Sequence, residues 1–187
     1  MGRQPEKKLL IEEAAIKLFG RPGFASTSIK DIAREAGVTD GALYRHYKSK
    51  NEMGWDLFIR EIQVFGDGLH KIIKDIDTNN RQHILKAGIK YAYDYAEQYP
   101  EKFRFILLNQ NTFPDGNSHK DHSSLIDMVV KAVAVGTDNY EDYECLSAVL
   151  WGALVQPLIM IEYGLLKKKP SECIDIVTEQ CSKILNV

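Results

Sequence analysis

Residues 29–50 read IKDIAREAGVTDGALYRHYKSK, and this stretch limits the possible folds more sharply than any other in the chain. Ile29, Ile32 and Ala33 recur at helical spacing, Gly37 interrupts them, and a second short helical stretch places Leu43 among Tyr44, Arg45, His46 and Lys48. Two helices joined by so short a turn must cross steeply. That crossing needs a small residue where they meet, a glycine in the turn, and apolar side chains that pin the pair to a third helix. Ala33, Gly37 and the set Ile29, Ile32, Val38 and Leu43 fill those roles, so the spacing predicts a helix-turn-helix.

The flanking sequence continues the helical pattern. Leu10, Ile11, Ala14, Ala15, Leu18 and Phe19 mark an amphipathic helix from Glu6, which Gly20-Arg21-Pro22-Gly23 stops. Ser28 and Asp31 have capping-box spacing, and Thr39 can cap a helix from Asp40 to about Tyr47. Ser49 and Glu52 open a long helix that reaches Ile76. Further helices are expected over residues 84–99, 100–110, 125–133, 148–161 and, after Pro170, 174–185, with Pro114-Asp115-Gly116-Asn117 as the strongest turn. No segment alternates with period two for long enough to argue a strand. The expectation is an all-α chain of about nine helices, with a head over residues 1–50 and a body over residues 51–187.

Charge divides along the same line. The first 50 residues hold ten Lys/Arg against six Asp/Glu (+4), and the remaining 137 hold 14 against 20 (−6), within a net charge of −2. A basic head on an acidic body is the arrangement expected when one end meets a polyanion. Cys145, Cys173 and Cys181 form no C-x-x-C pair, and the first residues lack the apolar core of a secretory signal, so a reducing, cytoplasmic setting is expected. Nothing in the chain asks for a cofactor.

With these landmarks in place, LFGRPGFASTSIKDIAREAGVTDGALYRHYKSKNEM resembles the N-terminal domain of the tetracycline-repressor (TetR) family of transcriptional regulators. Phe19, Gly23, Thr27, Ile32-Ala33, Ala36-Gly37-Val38, Leu43-Tyr44, Tyr47 and Lys50 fall in register over about residues 9–53; for the rest of the chain only helix count and the apolar penultimate helix are similar. The resemblance implies a helix-turn-helix DNA-binding domain at residues 1–50 and a ligand-binding and dimerisation domain at 51–187. It implies a homodimer that binds a palindromic double-stranded operator as a repressor and is released by a small-molecule inducer. The start of the recognition helix would enter the major groove, presenting Thr39, Asp40, Gly41, Tyr44, Arg45 and His46. Arg45 suits a guanine or a phosphate, while Tyr44, His46, Lys50 and Thr27 match positions that usually contact the sugar-phosphate backbone. Asp40 departs from the pattern: an acid there should repel phosphate, unless it accepts from a cytosine amino group or only caps the helix.

Half-sites lie roughly 34 Å apart on one side of a duplex, so a dimer must set that distance. Val149, Leu150, Ala153, Leu154, Ile161, Ile174, Val177 and Ile184, from the two most apolar C-terminal helices, are the expected interface. The stretch 148–161 is apolar nearly all round and reads as too short to span a membrane, and Pro157 should kink it. Tyr91, Tyr95, Tyr99, Phe103, Leu107, Trp151 and Gln156 are candidate pocket residues, and Asp94, Glu97 or Glu162 near aromatic faces would suit a cationic ligand. His119, Asp121 and His122 have metal-ligand spacing but lack an obvious fourth ligand. Two alternatives stay open: a structural or adaptor DNA binder without an inducer, and a helical-bundle enzyme. The second wants Glu-x-x-His pairs, whereas the chain offers only a single Asp67-x-x-His70.

Overall fold

A computed structural model describes residues 3–77, 80–109, 112 and 143–185. Among these the structure is helical, with eight α-helices and no strand: α1 (Arg3–Leu18), α2 (Ile29–Glu35), α3 (Asp40–Tyr44), α4 (Lys50–Ile73), α5 (Arg81–Gln98), α6 (Pro100–Leu108), α7 (Tyr143–Glu162) and α8 (Ile174–Leu185). The expected helix around residues 125–133 and the His119/Asp121/His122 group lie outside the described residues. The chain forms two compact units, one from the described residues of 1–64 and 99–119, the other from those of 65–98 and 120–187.

The first unit is built on an aromatic and aliphatic core. Ile11, Ala15, Phe19, Ile32, Leu43, Met53, Leu57 and Phe105 are buried together, drawing on α1 to α4 and α6. Phe19 stacks on Phe105 at 6.0 Å between centroids, and Phe58 meets the same ring edge-on at 6.1 Å. The Gly20–Gly23 stop is a tight turn in which Arg21 leaves helical conformation (φ −154°, ψ 123°). Asn109, itself buried, donates its amide to the Phe19 and Phe105 carbonyls at 3.2 and 2.9 Å, which ties the end of α6 to the end of α1. That attachment of α6 to the head was not visible in the sequence.

In the second unit α5 packs along α8, and α7 packs on both. Tyr93 is fully buried and donates to the Leu154 carbonyl at 2.8 Å, and Cys173, Val177, Cys181 and Leu185 complete the core. The end of α4 approaches α5 closely. Phe65 meets Tyr91 and Tyr95, each with centroids 5.1 Å away, and Tyr91 donates to the Phe65 carbonyl at 3.0 Å. Gly68 makes room for this contact, because a Cβ there would overlap the Tyr91 hydroxyl and ring.

Several boundaries differ from expectation. α3 closes at Tyr44, and α4 ends at Ile73 rather than Ile76. α7 begins at Tyr143, well before residue 148, and runs through Pro157 to a length of 20 residues. Its window from Cys145 to Glu162 is by length and composition enough to cross a membrane, which corrects the expectation that it is too short, and 22% of that window is buried within the chain.

Candidate nucleic-acid interface

The helix-turn-helix is fixed by caps at each junction. The Ser28 hydroxyl accepts from the Asp31 amide at 3.2 Å while the Asp31 carboxylate accepts from the Ser28 amide at 2.9 Å, a complete capping box. The Ser28 hydroxyl also donates to this carboxylate at 2.6 Å, and that bond, the bond from the Ser28 amide and the nearby Arg34 hold the Asp31 carboxyl below its usual range. Gly37 closes α2 with φ +65°, a left-handed conformation that costs other residues energy, and the Val38 amide then donates back to Ala33 at 2.9 Å. Thr39 starts α3 by accepting from the Ala42 amide at 3.3 Å. Asp40 therefore occupies the first helical position, where a carboxylate favours the positive end of the helix, and it is not itself the capping residue.

One side of α3 is consumed by the core: Ala42 and Leu43 are buried, with Ile32 and Ala33 from α2. The opposite side is open. Thr39, Gly41, Tyr44 and Arg45 are exposed, and Asp40 and His46 are half-buried. Tyr44 keeps 55% of its surface accessible, too much for a core aromatic. Arg45 lies against its own helix, with Nε donating to the Gly41 carbonyl at 3.3 Å. The structure thus leaves four of the predicted residues exposed on or beside α3 and two half-buried, with both hydroxyl groups and a guanidinium among the exposed ones.

Thr27 and Lys50 are placed differently. Thr27 is buried, and its hydroxyl lies 2.8 Å from the Gly23 carbonyl and 3.1 Å from that of Leu18. Lys50 donates to the carbonyls of Phe24 and Thr27 at 2.8 and 2.9 Å, with its ammonium 4.4 Å from the Phe24 ring centroid. Both side chains are spent on holding the segment before α2 rather than projecting from it.

Sequence reasoning missed the buried polar cluster behind α3. Tyr47 is buried and donates its hydroxyl to Glu12 at 2.5 Å, and the other Glu12 oxygen pairs with Arg60 at 2.9 Å. Burial alone would raise the Glu12 pKa, but the bonds from Arg60 and Tyr47 outweigh it and the carboxyl sits below its usual range. Burial and the neighbouring carboxylate push the Tyr47 phenol upward. Glu61, also buried, pairs with Lys102 at 3.0 Å. Glu12 stands next to Ile11 on the helical face that carries Ala15, so its position on an apolar stripe was the available signal.

The candidate pocket residues fall in both units, and Tyr91 and Tyr95 lie side by side with ring centroids 6.0 Å apart. Tyr99, Phe103 and Leu107 belong to the first unit, and Tyr91, Tyr95, Trp151 and Gln156 to the second. Gln156 is exposed, while Tyr95, Phe103 and Leu107 are core. The second unit has an open groove of about 1000 Å³ along α5 and α8, lined by polar residues that include His83, Lys86, Asp175 and Glu179 and by none of those seven. Asp94 is taken by Lys90, and Glu97 accepts from the Ser171 amide at 3.1 Å. Of the expected dimer residues, Leu150, Leu154 and Val177 are buried within the chain, Val149 is exposed, and Ala153, Ile161, Ile174 and Ile184 are half-buried.

A three-helix head with a capped second pair and an open polar edge on its last helix defines the helix-turn-helix class of domain. Residues 11–53 match the model of the bacterial regulatory proteins of the tetR family, and this segment is a helix-turn-helix domain of that family. It is 30% identical over 117 residues to the HTH-type transcriptional regulator YerO of Bacillus subtilis, covering 63% of this chain and 40% of that protein. It is 32% identical over 106 residues to the HTH-type transcriptional regulator SAR2658 of Staphylococcus aureus, covering 57% of this chain and 56% of that protein. The chain therefore spans about half the length of the curated relatives it matches. The same fold appears in a TetR-like transcriptional regulator from Rhodococcus sp. RHA1, with a TM-score of 0.71 and 19% identity over 93% of this chain and 94% of the other.

Proposed function

We propose that the chain is a transcription regulator that binds duplex DNA through α3, acts as a homodimer on a palindromic operator, and represses until a small molecule binds its body. The observation that carries this reading is the open edge of α3 on a head that matches the tetR family model. Arg45 and the Thr39 hydroxyl are the base-reading candidates, and Tyr44 and His46 hold the backbone. Thr27 and Lys50 contribute through the segment they brace.

Dimerisation is supported by surface that one copy leaves open. Val149, Met160 and Ile176 on α7 and α8 are exposed apolar residues, and a second copy of the same helix pair would cover them. We assign the apolar length of α7 to that contact rather than to a bilayer, with the protein working in the cytoplasm beside its DNA. A ligand that favours one head spacing over another would then shift operator affinity.

Selection from a pool of randomised duplexes, followed by fluorescence anisotropy, tests the reading. Enrichment of an inverted repeat with half-sites about one helical turn apart is the expected result. Arg45→Ala should cost about 1–3 kcal/mol and relax one position of each half-site. Failure of the protein to enrich any sequence would remove the proposal.

A further inference from the structure

We infer that Glu12 is a positioning residue for DNA recognition: its buried carboxylate, joined to the Tyr47 hydroxyl and the Arg60 guanidinium, sets the direction in which α3 presents its open edge. The inference rests on the DNA-binding reading above and deepens it, since none of these three side chains belongs to the exposed edge.

Glu12 is 6% exposed, and both its oxygens are engaged, Oε1 by Tyr47 at 2.5 Å with Lys8 at 3.7 Å, and Oε2 by Arg60 at 2.9 Å. A carboxylate taken out of water holds its partners tightly, because leaving it unpaired is far costlier than leaving a neutral group unpaired. The partners come from different elements: Glu12 from α1, Arg60 from α4, and Tyr47 from the segment that leaves α3. Tyr47 is also tied back to α3, since its amide and that of His46 both donate to the Leu43 carbonyl, at 3.1 and 2.9 Å. Arg45 and His46 therefore lie on a short bridge between a helix end at Tyr44 and a side chain clamped at Glu12. Apolar packing of Ala42 and Leu43 resists lifting of α3 but does not fix its rotation. A directional bond to a charged acceptor does, and bidentate base contacts tolerate little misalignment.

Tyr47→Phe tests this, because it keeps the ring and removes only the hydroxyl. The probes are the duplex enriched by the wild-type protein and a scrambled duplex of the same length, titrated against variant confirmed as folded by circular dichroism. The expected result is about tenfold weaker binding to the enriched duplex with unchanged binding to the scrambled one, the size of one charge-assisted hydrogen bond. Glu12→Gln should cost less in the Tyr47→Phe background than in the wild type, since the contact shared with Tyr47 is already gone and only that with Arg60 is left to weaken. A residue needed only for stability would leave the ratio of the two affinities at its wild-type value, and that result overturns the inference. Arg60→Lys, which keeps the charge and loses the 2.9 Å contact, carries the same expectation should Tyr47→Phe not fold. An unchanged ratio beside a wild-type protein that selects its own sequence refutes the positioning role alone. A wild-type protein that selects nothing refutes the DNA-binding reading together with it.

Discussion

In the first unit the buried polar side chains Glu12, Thr27, Glu61 and Asn109 are each engaged by a named partner, and the starts of α2 and α3 are closed by side-chain caps. The second unit has directional bonds too, from Tyr93 to the Leu154 carbonyl and from the Ser171 amide to Glu97, around a core that is otherwise largely apolar. There the buried hydroxyls of Thr178 and Ser182 make no hydrogen bond, and Val149, Met160 and Ile176 face outward. Directional bonds select one geometry, whereas apolar packing accepts several of similar energy. A head that must match the spacing of base edges gains from the first kind of construction. A body expected to pair with a copy of itself and respond to a ligand gains from the second.

The contrast can be broken most forcefully at the body's open face. Val149→Glu combined with Ile176→Glu should leave the protomer folded but monomeric by analytical ultracentrifugation. Each side chain stands to lose about 1.5–3 kcal/mol of burial, and twofold symmetry counts every loss twice. Binding to the enriched duplex should then fall by about 100-fold or more, whereas the head's own core is untouched.

Gly68→Ala gives a smaller effect in the same unit. The new methyl overlaps Tyr91, so urea unfolding should show a loss of about 1–3 kcal/mol. Gly41→Ala in the head is the control: nothing lies within 4 Å of a Cβ at that position, and the helix should gain up to about 1 kcal/mol. A drop in DNA affinity in that variant would sharpen the comparison, because it would mark Gly41 as a site of close approach rather than of folding.

Removing the α3 cap with Thr39→Ala should cost about 1 kcal/mol of stability, read by thermal or urea denaturation. The smallest signal is expected in acid. Glu12 has a folded pKa below its unfolded value, so its contribution is present above the unfolded value, near 4.5, and is lost as pH falls through the lower folded one. Stability measured from pH 6 downward should decline less steeply in Glu12→Gln than in the wild type, and equal slopes would show that the carboxylate is not coupled to folding.

How much of this was legible beforehand depended on the range of the interaction. The Ser28 and Thr39 caps, the Gly37 turn and the short recognition helix were all readable, because each follows from residues within four positions of one another. The burial of Thr27 and the engagement of Lys50 were not, since the lysine's partners lie 23 and 26 residues away. Among the tyrosines, the stripe of Tyr91, Tyr95 and Tyr99 drew attention, yet the fully buried one is Tyr93, whose partner Leu154 is 61 residues distant.

The sequence by itself determined the helical class, the helix-turn-helix and the identity of its open edge, because helical periodicity, capping and turn chemistry are local. Only the tertiary structure decided that α6 joins the head, that the candidate pocket residues divide between two units, and that Glu12 meets Tyr47 across 35 positions. Those outcomes depend on which surfaces meet once the helices exist. Shape and buried charge settle that, and neither has a period that can be read along the chain.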